Sequence, residues 1–100
     1  MAHPRHELND AFLTPVRLSV MAALPKEIEL DFASLRDVIE ADDSVLSKAI
    51  SHLEKLGYVR VKKGYVGNRP RTWISSSAKG RRAFAAHVQA LRAITDPDSA

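Results

Sequence analysis

Apolar residues recur along this 100-residue chain with two different spacings, and the changes between them mark its elements. Helical spacing comes first. Thr14-Pro15 reads as an N-cap followed by proline at the first helical position. Val16, Val20 and Leu24 then keep one face apolar until Pro25, which predicts a first helix over residues 14–24. Leu8, Phe12 and Leu13 leave open an earlier start near Glu7, with a bend at Pro15. Leu18 falls off the main stripe and offers a second apolar face to a partner chain. After a short extended piece, Ile28 to Leu30, Asp31 caps a helix over 31–40 that carries Phe32, Leu35, Val38 and Ile39. Ala41-Asp42-Asp43 is the only connection to the next helix, 43–57, and suits a tight helix-turn-helix corner. Asp42 or Asp43 can cap that helix, favoured by its dipole. Leu46, Ala49, Ile50, Leu53 and Leu56 share one of its faces, and Gly57 stops it.

The spacing then drops to two. Tyr58, Val59 and Val61 begin a strand, and Thr72, Trp73 and Ile74 form its return, in a hairpin over 58–75. Between them, Lys63 to Arg71 reads as a long tip hinged at Gly64 and Gly67, with Pro70 at a strand edge or in the tip. Helical spacing returns after Ser75-Ser76-Ser77. Phe84, Val88, Leu91 and Ile94 make a stripe over 77–94, with Gly80 and His87 alongside. The C-terminal TDPDSA is expected to fray. The sum is one α+β domain over 1–100: three helices, a hairpin and a long C-terminal helix.

Charge changes what these elements suggest. The net +3 conceals a split, since Met1 to Ser47 holds 4 basic and 9 acidic residues, and Lys48 to Ala93 holds 11 basic and 1 acidic. Such asymmetry points to a polyanionic partner. Its placement is specific. Opposite the apolar face of helix 43–57 stand Ser44, Ser47, Lys48, Ser51 and Lys55, with Val45 and His52 on the flank and the lone Glu54 near the rim. A merely solvated helix face mixes Glu with Lys four residues apart. Small hydroxyls with Lys and His can instead enter a groove walled by phosphates and bond base edges. The hairpin adds five cations, Arg60, Lys62, Lys63, Arg69 and Arg71, and no acid. Helix, tight turn, helix and basic hairpin is the order of a winged helix-turn-helix. Lys62, Lys63, Asn68, Arg69 and Arg71 then fall where a DNA backbone and minor groove would pass.

At these residues the chain resembles the small winged-helix regulators related to the MarR and ArsR families. The likeness covers roughly Asp31 to Leu91, through LSKAISHLEKLGYV, KKGYVGNRPRT and ISSSAKGRR. It implies that helix 43–57 is the recognition helix, with Ser47 and Lys48 matching the family's S-K pair. Gly57-Tyr58-Val59 would form the turn into the wing, Arg69, Pro70 and Arg71 its tip, and Gly80-Arg81 the start of the last helix. Ala49-Ile50 replaces the family's H-L, and Ile74-Ser75 its L-T. The resemblance also implies a homodimer made by the first and last helices, with Leu18, Phe84, His87, Val88, Leu91 and Ile94 at the interface.

Other classes find little support. Without cysteine there is no disulfide framework, thiolate nucleophile or Cys-ligated metal. His3 and His6 lie near a terminus too loose to hold a metal, and His52 has no Ser/Asp pair spaced for catalysis. His87 is read as an interface or core-edge residue. No signal-peptide core and no run of membrane length stands in the chain, which fits a cytoplasmic protein. Trp73 is read as a core residue rather than a base-stacking one, and Tyr65 as a tip residue near the backbone. The expectation is a homodimeric regulator that binds double-stranded DNA, acts as a repressor and needs no cofactor, metal or enzymatic activity. Its effector and operator are not written in the sequence. The alternative is a winged-helix module whose basic surface meets an acidic protein.

Overall fold

The computed structural model describes residues 2–99. The N-terminal segment forms no α-helix. It makes two 3-10 turns, Pro4–Glu7 and Asp10–Phe12, each opened by a side chain that accepts from the backbone: His3 from Arg5, and Asn9 from Ala11. The earlier helix start near Glu7 is therefore replaced by two separate turns, and helix α1 runs only Pro15–Ala23, with Thr14 accepting from Arg17 N–H. Arg17 reaches back, its Nε donating to the Ala11 carbonyl at 2.7 Å.

Strand β1, Glu29–Asp31, leads directly into α2, Phe32–Ile39, whose N-cap is Asp31. The helix ends on Glu40 in the left-handed region, with φ 54°. Glycine usually takes that place, so the sequence offers no sign of it. Helix α3, Asp43–Lys55, follows. Asp42 occupies its N-cap position without a side-chain capping bond. Asp43 instead binds Arg36 at 3.0 Å and so ties α3 to α2.

Strands β2, Val59–Val66, and β3, Arg69–Ser76, form a hairpin, and β1 pairs on the other edge of β3 to give the order β1-β3-β2. The register places Val66 opposite Arg69, so the turn itself is only Gly67-Asn68, with Gly67 at φ 62°. The expected long tip is thus mostly ladder. Gly64 is a strand residue rather than a hinge, and a Cβ there would come within 3.0 Å of the Trp73 ring. Pro70 sits in β3 opposite Tyr65. On its other side β1 reaches only as far as the Asp31–Trp73 pair, so an edge is open where a missing N–H does no harm.

Helix α4, Ala78–Thr95, is capped by Ser77. Gly80 has a steric reason: a Cβ there would overlap the Tyr58 carbonyl. The core comprises Phe12, Val20, Met21, Leu24, Leu35, Leu46, Ile50, Leu53, Val59 and Ile74, with Leu18 and Phe84 packed against it. Two residues of the expected apolar stripes stay outside. Val38 is 62% exposed, and Leu56, just past the end of α3, is 38% exposed. Trp73 is not in the core either; it is half-buried on the sheet's outer face.

Candidate nucleic-acid interface

The apolar stripe of α3 is drawn inward by burial of Leu46, Ala49, Ile50 and Leu53, and this turns the opposite face outward. Ser44, Val45, Ser47, Lys48, Ser51, His52 and Lys55 are all exposed. A recess lies on each flank. One, of about 450 Å³, is bounded by Thr14, Pro15, Val16 and Arg17 of α1's start and by Val45, Lys48, Ala49 and His52. The other, of about 320 Å³, is bounded by Phe32, Ser47, Ile50, Ser51, Glu54 and Val61 with Lys63 and Thr72 of the hairpin. The ridge between them carries small hydroxyls, two lysines and one histidine, a set that can bond base edges and phosphates.

Strand alternation divides the hairpin's cations between two faces. Lys63 lies on the same face as core-directed Val59 and Val61 and borders the recess beside α3, with Tyr65 next along that face and 73% exposed. Lys62 and Arg71 lie on the outer face. Lys62 Nζ stands 5.8 Å from the Trp73 ring centroid, a cation–π distance. Arg71 Nε is 3.8 Å from a carboxylate oxygen of Asp31. The hairpin is therefore not free of acidic neighbours, because β1 brings one in from outside the hairpin sequence. Asn68 and Arg69 occupy the turn end and are exposed.

The residues expected at a dimer interface divide as well. Leu18 and Phe84 pack on the chain's own core, and Val88, Leu91 and Ile94 are half-buried. His87 does not face outward. It is 1% exposed, and its Nδ1 accepts the Asn9 backbone N–H at 2.9 Å. Its ring meets Phe12 at 5.4 Å, and Phe12 also contacts Tyr58 and Phe84. Burial holds the His87 imidazole below its ordinary pKa, which suits the acceptor role of Nδ1. The reason is the N-terminal segment, which closes over α4 on that side. Asn9 fastens it a second time, its Nδ2 donating to Tyr58 OH at 3.0 Å.

Residues 16–95 match the family of winged helix DNA-binding domains. The chain belongs to that family. This bears out the winged-helix expectation. Solved structures share the fold. A transcriptional regulator homologue from Pyrococcus horikoshii OT3 superposes with a TM-score of 0.85 at 24% identity, covering 97% of each chain. A MarR-family transcriptional regulator from Silicibacter pomeroyi has a TM-score of 0.69 at 22% identity, over 95% of this chain and 63% of that one. The transcriptional regulator MOSR of M. tuberculosis, solved in complex with DNA, has a TM-score of 0.71 at 22% identity, over 94% of this chain and 67% of that one. No curated protein matches the chain. Among the described residues no helix is long and apolar enough to cross a membrane, and no group of three or more His, Asp or Glu is placed to hold a metal ion.

Proposed function

We propose that this winged-helix chain is a homodimeric transcriptional regulator of MarR type that acts in the cytoplasm and represses by occupying its operator. The observation that carries the reading is the exposed face of α3, which from Ser44 to Lys55 holds one acid, Glu54, at its rim. Lys48 and Ser47 enter the major groove. Ser44, Val45, Ser51 and His52 meet bases or flanking phosphates, and Lys55 a phosphate. In the wing, Lys63, Asn68 and Arg69 follow the backbone beside the minor groove. Lys62 and Arg71, on the outer face, meet phosphates from that side.

Two chains pair through α4 and the N-terminal region. The half-buried row Val88, Leu91 and Ile94 supports this. The two recognition helices then stand roughly 34 Å apart, one turn of DNA. Fluorescence anisotropy with duplex and single-stranded DNA over a salt series tests the partner: duplex preference with a steep salt dependence is expected. Salt-independent binding, or none, would favour an acidic protein as the partner instead. Sedimentation equilibrium tests the assembly, and a species of 11.1 kDa alone at micromolar concentration would contradict the dimer.

A further inference from the structure

We propose that Asp31 governs the wing's grip on DNA: it holds Arg71 against the body of the free protein and gives it up to a backbone phosphate on binding. The proposal rests on the DNA-binding reading above. Asp31 belongs to the joint between β1 and α2, the first helix of the helix-turn-helix, and its Oδ1 accepts the Ser34 N–H at 3.3 Å. That bond fixes the carboxylate in space. Its other oxygen, Oδ2, lies 3.8 Å from Arg71 Nε. Glu29, on the same face of β1, pairs opposite Ser75, farther from the turn. Among the described residues Arg71 is the one hairpin cation that meets a carboxylate.

Three features make an exchange feasible. The contact is long, and the Arg71 side chain is 44% exposed while that of Asp31 is 18% exposed. Such a half-open pair is worth little, so exchanging it for a phosphate costs little. Second, on its β1 side β3 has no strand beside it at Pro70 to Thr72, and a cleft of about 460 Å³ opens there between Asp31, Phe32, Ala33 and Pro70, Arg71, Thr72. Arg71 therefore has room to swing. Third, the Ser34 bonds and the Arg71 charge hold the Asp31 carboxyl below its usual pKa, so the acid remains charged through the neutral range. Asp31 is thus a positioning residue that competes with DNA for one of the wing's cations.

The test is a double-mutant cycle on duplex binding with wild type, Asp31→Asn, Arg71→Ala and the double variant. Asparagine caps a helix about as well as aspartate, so α2 keeps its start; Asp31→Ser replaces it if the asparagine variant melts early. The expected result is tighter binding by Asp31→Asn, about two- to five-fold, on any duplex sequence. Most of that gain should disappear when Arg71 is alanine, and Arg71→Ala should lower the salt slope by about 0.9. A gain in affinity cannot come from structural damage. Unchanged or weaker binding by Asp31→Asn, or an equal gain in both Arg71 backgrounds, overturns the proposal alone. A wild type without salt-dependent duplex binding overturns the DNA reading and this inference with it.

Discussion

The surroundings of Tyr58 and the outer face of α3 are built in opposite ways. At Tyr58, Phe12, Phe84 and His87 gather within one aromatic cluster, Asn9 bonds both Tyr58 and His87, and Gly80 presses on the Tyr58 carbonyl. Polar groups there are matched one to one. On α3, eight side chains from Ser44 to Lys55 are exposed, and none of them makes a side-chain hydrogen bond or ion pair among those found in the described residues. A protein that only had to fold would gain nothing by leaving such a face unpaired. One region holds the chain together and the other is available to a ligand, so substitutions in the two should separate stability from binding.

The largest effects belong to the buried side. Leu53, fully buried on the inner face of α3, should cost about 2–5 kcal/mol of folding stability when changed to alanine, read by thermal or urea unfolding. Gly80→Ala forces a methyl group into the Tyr58 carbonyl, an overpacking worth about 1–3 kcal/mol. A Gly80→Ala protein as stable as wild type would contradict the close approach of α4 to Tyr58, just before β2. The outer face should behave in reverse. Lys48→Ala should weaken operator binding by about 1–3 kcal/mol and move stability by less than about 0.5 kcal/mol. Equal weakening on operator and random duplex would make Lys48 a phosphate contact rather than a base contact.

The inner face of α3 and the capped helix starts were legible in the sequence because they follow from spacing and side-chain chemistry over a few residues. Thr14, Asp31 and Ser77 each accept from a backbone N–H three residues on. Three features were not legible. The 3-10 turns at Pro4 and Asp10 are too short to carry a period. Gly64 looked like a hinge because a glycine's role depends on its neighbour across the strand, here Trp73. His87 reads as an interface or core-edge residue, and Arg71 as a wing cation with no acid nearby, because their partners, Asn9 and Asp31, stand 78 and 40 residues away. The match of Gly80 with the family pattern acquires its cause only in space, from the Tyr58 carbonyl.

A smaller effect sharpens the same contrast through pH. Folding holds His87 below its ordinary value, so the unfolded chain takes up a proton more readily than the folded one. Stability from this residue is therefore present above the unfolded value of about 6.5 and is lost as pH falls below it. Urea unfolding across pH 5 to 8 should show an acid limb that shrinks in His87→Gln. An unchanged limb would mean that the Asn9 contact is not sensitive to protonation. The smallest change is expected at the turn, where Arg69→Ala should reduce the salt slope of DNA binding by about 0.9.

The most direct test of the separation is an NMR titration of the ¹⁵N-labelled protein with duplex DNA, followed residue by residue. Shifts should concentrate at Ser44, Ser47, Lys48, Ser51, His52 and Lys55 and at the hairpin from Lys62 to Arg71, while Asn9, Phe12, Phe84 and His87 stay in place. Shifts centred on that aromatic cluster, or none on α3, would contradict the account.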